Sequence, residues 1–489
     1  MSETLLDVAD VRVDARHWIG GQRVPSADTF DDLSPIDGTV IGQVARGGSA
    51  EVDAAVGAAR EAFPAWAALG PQGRGEILHR VADGVEARLE EFAQLETRDN
   101  GSLLRSHRRG VMPRVATNIR FFADYAMNDL KHPEFETRGH TNVVSWDPAG
   151  VAAIITPWNA PLMLATWRIG PALASGDTVV LKPPEWAPLT ASLFAEVTAA
   201  AGMPPGVFNV VQGIGTEAGA ALAGHPGVAR ICFTGSVPTA KAVARAAAEN
   251  LTPLSFELGG KSPTIVMDDA DLDLAVTIAA EQYDNAGQVC LAGTRLLVHE
   301  AIAQEFAERL AEKVTEIRQG DPRDESTDLG PQIHPVHLSR IEGFVERAQA
   351  DGAQVAFGGQ RVEPIAGGFY YAPTLITGAR LGSEILTQEV FGPVLTMQTF
   401  ASEDEAIALA NNTDYGLAAT LVCGDRPRAE RFASQLVAGT VWVNCFFVRD
   451  LRAPFGGSRK SGIGREGGVW SFDFYADVKN TCFAPNGWR

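Results

Sequence analysis

Three residues carry the chemistry that this 489-residue sequence offers: a cysteine, a glutamate and an asparagine. Cys290 closes the run Asn285-Ala286-Gly287-Gln288-Val289-Cys290. Gly287 permits a tight turn and the Gln288 amide can pin the loop, which would present the thiol. A presented thiol is a nucleophile once a neighbour takes its proton or lowers its pKa. Without such a neighbour, a cysteine is ordinarily a small buried hydrophobe. Glu257 lies in Phe256-Glu257-Leu258-Gly259-Gly260-Lys261. Apolar flanks raise a carboxyl towards neutrality and suit it to general-base work; an ion pair with Lys261 is the bland alternative. Asn159 sits between two prolines in Thr156-Pro157-Trp158-Asn159-Ala160-Pro161. Its fixed amide can donate to an oxyanion, or it can cap the helix that follows.

A second set of residues suits a nucleotide. Lys182 and Glu185, in Leu181-Lys182-Pro183-Pro184-Glu185, stand where a strand ends and can hold ribose hydroxyls. An acid there repels a 2′-phosphate and so favours NAD over NADP; a surface ion pair is the default otherwise. Gly215 belongs to Gly213-Ile214-Gly215-Thr216-Glu217-Ala218-Gly219, whose third glycine falls one place late for GxGxxG. Phe233-Thr234-Gly235-Ser236 opens a helix whose free N–H groups can meet a phosphate. The literal GxGxxG, Gly462-Ile463-Gly464-Arg465-Glu466-Gly467, follows no expected strand and leaves too little chain for a βαβ unit, so it reads as a decoy. Glu389, before the rigid turn Phe391-Gly392-Pro393, can aim a carboxylate at a ribose.

The elements that would position these groups follow from periodicity. Helical patterns over 52–66, 75–95 and 114–128 make a helical opening third. Apolar strands at 151–156, 178–181, 207–211 and 230–233 then alternate with helices at 160–175, 189–201 and 217–223. That alternation is the signature of a parallel sheet covered on both faces, with ligands at its strand ends. A second series has strands at 255–258, 264–267, 295–298, 394–399, 420–422 and 440–443, with helices at 271–283, 301–317, 335–350, 403–411 and 429–436. An aromatic alternating stretch at 470–482 reads as a terminal strand. The fold class is α/β, in two α/β domains with a hinge at 252–260.

Bulk properties bound the function. Sixty acidic against 41 basic side chains leave a net charge of −19, which disfavours nucleic acid and anionic membrane as partners. Cys232, Cys290, Cys423, Cys445 and Cys482 form no metal-binding spacing, so no metal is expected, and a reducing compartment suits them. The acidic residues 1–10 lack signal-peptide character and no apolar run approaches the ~20 residues of a span. The expectation is a soluble, cytoplasmic protein.

Taken together, the motifs resemble the NAD(P)-dependent aldehyde dehydrogenase superfamily from about His17 to Cys482. Phe256-Glu257-Leu258-Gly259-Gly260-Lys261-Ser262-Pro263 is similar to the family's glutamate signature and Gly287-Gln288-Val289-Cys290 to its cysteine signature, with the remaining motifs in the expected order. The resemblance implies an NAD-binding domain at 1–130 and 148–255, a catalytic domain at 256–445, and a small β oligomerisation element at 131–147 and 470–489. It implies a homodimer or homotetramer. Cys290 would attack the aldehyde, Asn159 would hold the oxyanion, and Glu257 would activate the water that hydrolyses a thioester. Lys182 joins this catalytic set. The cofactor would lie against Ile155, Thr156, Pro157, Trp158, Lys182, Glu185, Gly215, Phe233, Thr234, Gly235, Ser236, Leu258, Glu389 and Phe391. Two departures are Ala240, where the family usually has glycine, and Cys232, read as strand packing.

The C-terminal stretch from Val448 to Gly468 is similar to the muconic semialdehyde dehydrogenase branch, whose substrates bear carboxylates. Arginine is the natural bidentate partner of a carboxylate. Arg120 and Arg465, then Arg449 and Arg452, are the expected substrate arginines, each with a structural ion pair as its alternative. Trp167, with Phe121, Phe446 and Phe447, would form apolar walls, which equally suit a broad-specificity aromatic or aliphatic aldehyde dehydrogenase.

Overall fold

The computed structural model describes residues 4–485. The strands Val151–Ile155, Thr178–Lys182 and Phe208–Val210 are buried along their whole length, as parallel strands covered on both faces must be. They lie side by side in that order. The chain then returns to place Arg230–Gly235 on the other flank of Val151–Ile155, and Leu254–Leu258 beyond it. The reversal between Val151–Ile155 and Arg230–Gly235 opens a crevice at the carboxyl ends of these strands, the place where doubly wound sheets bind ligands. His17–Ile19 and Gln22–Val24 extend one edge antiparallel, and the short Gly462–Ile463 strand closes the other.

A second sheet has the order Gln354–Phe357, Thr374–Thr377, Val394–Phe400, Arg295–His299, Pro263–Val266, Ala418–Val422, Thr440–Val443. It is parallel apart from its first strand. The chain crosses between the sheets at Gly259–Gly260. Leu254–Leu258 forms the strand expected at 255–258, but it is an inner strand of the first sheet, in register with Arg230–Gly235, and not a member of the second series.

A third, antiparallel sheet is formed by Glu134–Thr137, His140–Pro148 and Ala476–Phe483. The terminal strand starts later than the alternating pattern suggests, because Gly468–Tyr475 is helical. Ser471, Phe472 and Tyr475 fall on one helical face and are buried, a match to period 3.6 that a short aromatic run conceals. Residues 486–489 of the expected oligomerisation element lie outside the described residues, as do residues 1–3. Among the described residues no helix is long and apolar enough to cross a membrane.

Candidate active site

The Cys290 loop is built from an unusual backbone. Asn285, Ala286 and Gly287 have φ of 49°, 56° and 72°, three successive residues in the left-handed region. Two of them carry side chains, so the turn holds strain that its surroundings must offset. The expected pin is present: the Gln288 amide donates to Asn285 O and Pro331 O, while Ile333 N donates to Gln288 Oε1. Ser102 Oγ donates to Asn285 Oδ1. A Cβ on Gly287 would stand 2.1 Å from Gly392 O. Gly287→Ala should therefore cost about 2–5 kcal/mol through combined strain and overlap. Thermal unfolding checks this, and an unchanged midpoint would show that the loop relaxes freely.

Asn159 does not cap the helix Pro161–Ser175, whose cap position is Ala160. Its Nδ2 donates to Gln288 O at 2.9 Å, and Asn285 Nδ2 donates to Asn159 O, so the asparagine is locked to the cysteine loop. An amide nitrogen has a second hydrogen to offer. Among the described residues no acceptor takes the Cys290 backbone N–H. Two donors thus remain beside the sulfur.

Glu257 is buried, and its Oε1 has no hydrogen-bond partner among the described residues. Burial pushes its carboxyl well above the usual range; Glu466 adds to this, while Arg168, Arg449 and Arg465 oppose it. Lys261 is not its ion-pair partner: that Nζ is buried and unpartnered, and burial brings it down to about 7. Cys290 is half-buried, and its thiol is pushed up to about 12 by burial and by the Glu389 and Glu257 carboxylates. Arg449 and Arg168 pull it the other way. The resting sulfur is a thiol, and a base must take its proton for it to attack.

The crevice fits a dinucleotide. Thr156 Oγ1 and Thr234 Oγ1, at the carboxyl ends of neighbouring strands, are buried without partners. Ile155 and Leu258 end strands of the same sheet, and Ser236 caps the helix Val237–Ala248 with its hydroxyl. Lys182 Nζ meets Glu185 Oε2 at 2.7 Å, and a Cβ added to Gly215 would stand 3.6 Å from Glu185 Oε1. Burial would raise the Glu185 carboxyl, yet Lys182 and the backbone donors of Glu185 and Gly215 hold it below its ordinary value. Glu389 Oε1 accepts from Gly260 N at 2.9 Å, and burial pushes its carboxyl up to about 7. Phe391 (φ 59°) packs edge-on against Trp158, with ring centroids 5.3 Å apart. No metal-holding group of His, Cys, Asp or Glu occurs among the described residues.

The arginines fall differently from expectation. Arg120 is committed to Glu86, and to Asp83 at 2.5 Å, across two helices. Arg452 is exposed and paired with Asp450 at 2.6 Å. Arg465 spends its guanidinium on Gly457 O, Gly464 O and Ser458 Oγ, bracing the loop behind Glu257. Arg449 and Arg465 both act on Glu257, and of the two Arg449 is the one left without a hydrogen bond or ion pair among the described residues. It is half-buried and pushed down to about 10 by burial and the Arg114 charge, with the Glu257 and Glu466 carboxylates acting on it from beyond ion-pair distance. Arg114, which went unremarked in the sequence, adds a positive charge that lowers Arg449 further, and its own Nε donates to Asn118 Oδ1. The clue was helical phase. Arg114, Asn118 and Phe121 share a face at i, i+4 and i+7, whereas Arg120 points a hundred degrees away from Phe121. Phe121, Phe446, Val289 and Cys290 pack against one core cluster, which contains Trp167. Phe447 is nearly half exposed, with φ of 61°.

Comparison with known proteins agrees with this geometry. A family profile described as the aldehyde dehydrogenase family matches residues 23–481. A 2-hydroxymuconic semialdehyde dehydrogenase of Pseudomonas sp. (strain CF600) is 46% identical over 483 residues, covering 96% of this chain and 99% of its own. A 2-aminomuconic semialdehyde dehydrogenase of Danio rerio is 42% identical over 472 residues, with 95% and 97% coverage. The crystal structure of betaine aldehyde dehydrogenase from Staphylococcus aureus in complex with NAD+ superposes with a TM-score of 0.94 at 37% identity, covering 98% of this chain and 96% of that one.

Proposed function

The chain belongs to the aldehyde dehydrogenase family, and from that premise we propose that it oxidises a carboxylate-bearing, muconic-type semialdehyde to the acid, with NAD as oxidant. The observation that carries the substrate class is Arg449, a half-buried cation near Arg114 and Cys290 that makes no ion pair with a carboxylate among the described residues. Drawing a cation out of water without an ion-pair partner is costly, and an anionic substrate group supplies that partner with bidentate geometry. The muconic semialdehyde names of the similar proteins support the same class.

The chain's residues divide the work as follows. Cys290 gives its thiol proton to water in the crevice, and its sulfur attacks the aldehyde carbon and forms a thiohemiacetal. The remaining Asn159 amide hydrogen and the Cys290 N–H hold the oxyanion. NAD, held by the Thr156, Lys182, Glu185, Thr234, Ser236 and Glu389 groups, supplies the hydride acceptor. The acyl thioester left on Cys290 is then hydrolysed by water that Glu257 deprotonates. Glu185, a partly buried acid, supports NAD over NADP by repelling a 2′-phosphate. The three-stranded sheet, with its exposed Val478 and Phe483, is proposed as the contact that makes a dimer or tetramer. The negative net charge supports a soluble, cytoplasmic enzyme.

Asn159→Ala should lower turnover on the order of a hundredfold with little change in NAD binding, since one oxyanion donor contributes about 3 kcal/mol. Rates within threefold of the parent would remove Asn159 from the oxyanion site. The substrate reading is tested by comparing kcat/KM for 2-hydroxymuconic semialdehyde and benzaldehyde. The expected preference is for the acidic aldehyde, and Arg449→Ala should reduce that ratio by about a hundredfold. A parent enzyme that turns over benzaldehyde equally well would favour the broad-specificity reading.

A further inference from the structure

Among the described residues the close partners of the Arg449 guanidinium are rings, with no ion pair or hydrogen bond beside them. Its guanidinium carbon lies 3.6 Å from the centroid of Phe455 and 5.0 Å from that of Trp167. Aromatic faces attract a cation without neutralising it. A carboxylate in the same place would have satisfied the arginine and left nothing for a ligand. Both rings are tied to one residue. The indole N–H of Trp167 donates to Glu466 Oε2. The backbone of Phe455 exchanges two hydrogen bonds with that of Glu466, N to O at 2.8 Å and O from N at 2.7 Å. Glu466 is itself immobilised, by Arg168 Nη2 at 3.2 Å and by the thiol of Cys232, which donates to Oε1 at 3.5 Å. Cys232, on an inner strand, thus does more than fill space.

We propose that Glu466 is the positioning residue of a specificity clamp: through its carboxylate it sets Trp167, through its backbone it sets Phe455, and the two rings hold Arg449 aimed at the substrate's carboxylate with its charge intact. The inference rests on the carboxylate reading of Arg449. The clamp explains how a cation can be held half-buried against the catalytic pocket without an ion-pair partner among the described residues. It also assigns a purpose to the segment Gly462–Gly467, which the sequence marks as a decoy GxGxxG: it returns along the edge of the first sheet to deliver Glu466 beneath the site.

The test uses Trp167→Phe, which keeps a ring and removes the N–H, and Phe455→Leu, which removes one ring face. Substituting Glu466 itself would change a charge that acts on Glu257, so the two rings are the cleaner probes. KM and kcat are measured for 2-hydroxymuconic semialdehyde and benzaldehyde. Each variant should raise the acidic aldehyde's KM, relative to benzaldehyde's, by about tenfold, with kcat moving less than KM. In the Trp167→Phe/Arg449→Ala double variant, the acid-to-neutral ratio should equal that of Arg449→Ala alone, because the rings then have no cation to aim. If Arg449→Ala collapses the ratio while both ring variants preserve it, the clamp is wrong and the substrate reading stands. If Arg449→Ala leaves the ratio unchanged, the substrate reading fails and the clamp with it. Additive losses in the double variant would also overturn the clamp.

Discussion

Cys290→Ala should abolish aldehyde-dependent NADH formation, with a loss on the order of 10⁴-fold or more. The size follows from the lack of any substitute. Cys232 is fully buried beneath Glu466, Cys423 packs in the far sheet and Cys482 lies on the exposed terminal strand. Cys445 shares the core cluster with Cys290, but it has neither the left-handed loop nor the Asn159 lock that present a sulfur to two free donors. Without a thiohemiacetal there is no alkoxide from which a hydride can leave. Absorbance at the NADH band, read beside NAD binding by calorimetry, separates chemical loss from a damaged crevice. Residual turnover above about a hundredth of the parent, with NAD still bound, would mean that another group attacks the aldehyde.

Glu257→Gln should give a different failure. One equivalent of NADH per chain should appear as a burst, followed by a steady rate lower by on the order of 10²–10⁴-fold, because the amide cannot deprotonate water. Burial holds the Glu257 carboxyl well above its ordinary range. The deprotonated form does the work, so the steady rate of the parent should rise with pH through that raised pKa and level off above it. The glutamine variant should be flat over the same range. A variant with neither a burst nor a slowed steady state would assign water activation to another residue. A parent profile that levels off near pH 5 would show that the carboxyl is not displaced.

The trio proposed for catalysis could be picked out because each member sits in a short contiguous motif whose local chemistry can be argued from neighbours. Parallel strands such as Thr178–Lys182 were legible for a similar reason, since burial on both faces writes an unbroken apolar run. The substrate arginines were not, because an arginine's partner is set by packing between distant segments. Arg120 stood first among the expected substrate arginines, but its acids, Asp83 and Glu86, come from another helix. Arg449 stood behind it with an ion pair as its alternative, yet the neighbouring Asp450 pairs with Arg452. Glu466 was hidden within a glycine pattern. The strand Gln354–Phe357 was missed because only alternate positions of an edge strand are covered.

One contact at the mouth of the crevice gives the protein an optical readout of its own. Trp186 directly follows Glu185, proposed above as a ribose partner, and its indole stacks on the imidazole of His334, with centroids 4.5 Å apart and planes 2° from parallel. His334 caps the helix Pro335–Ala350, which belongs to the other sheet's half of the molecule. The pair therefore spans the groove. Imidazole in face contact quenches indole emission, most strongly when protonated, and burial keeps His334 below its ordinary pKa. Widening or narrowing of the groove as a dinucleotide enters would change the brightness of this one tryptophan, without a label being attached.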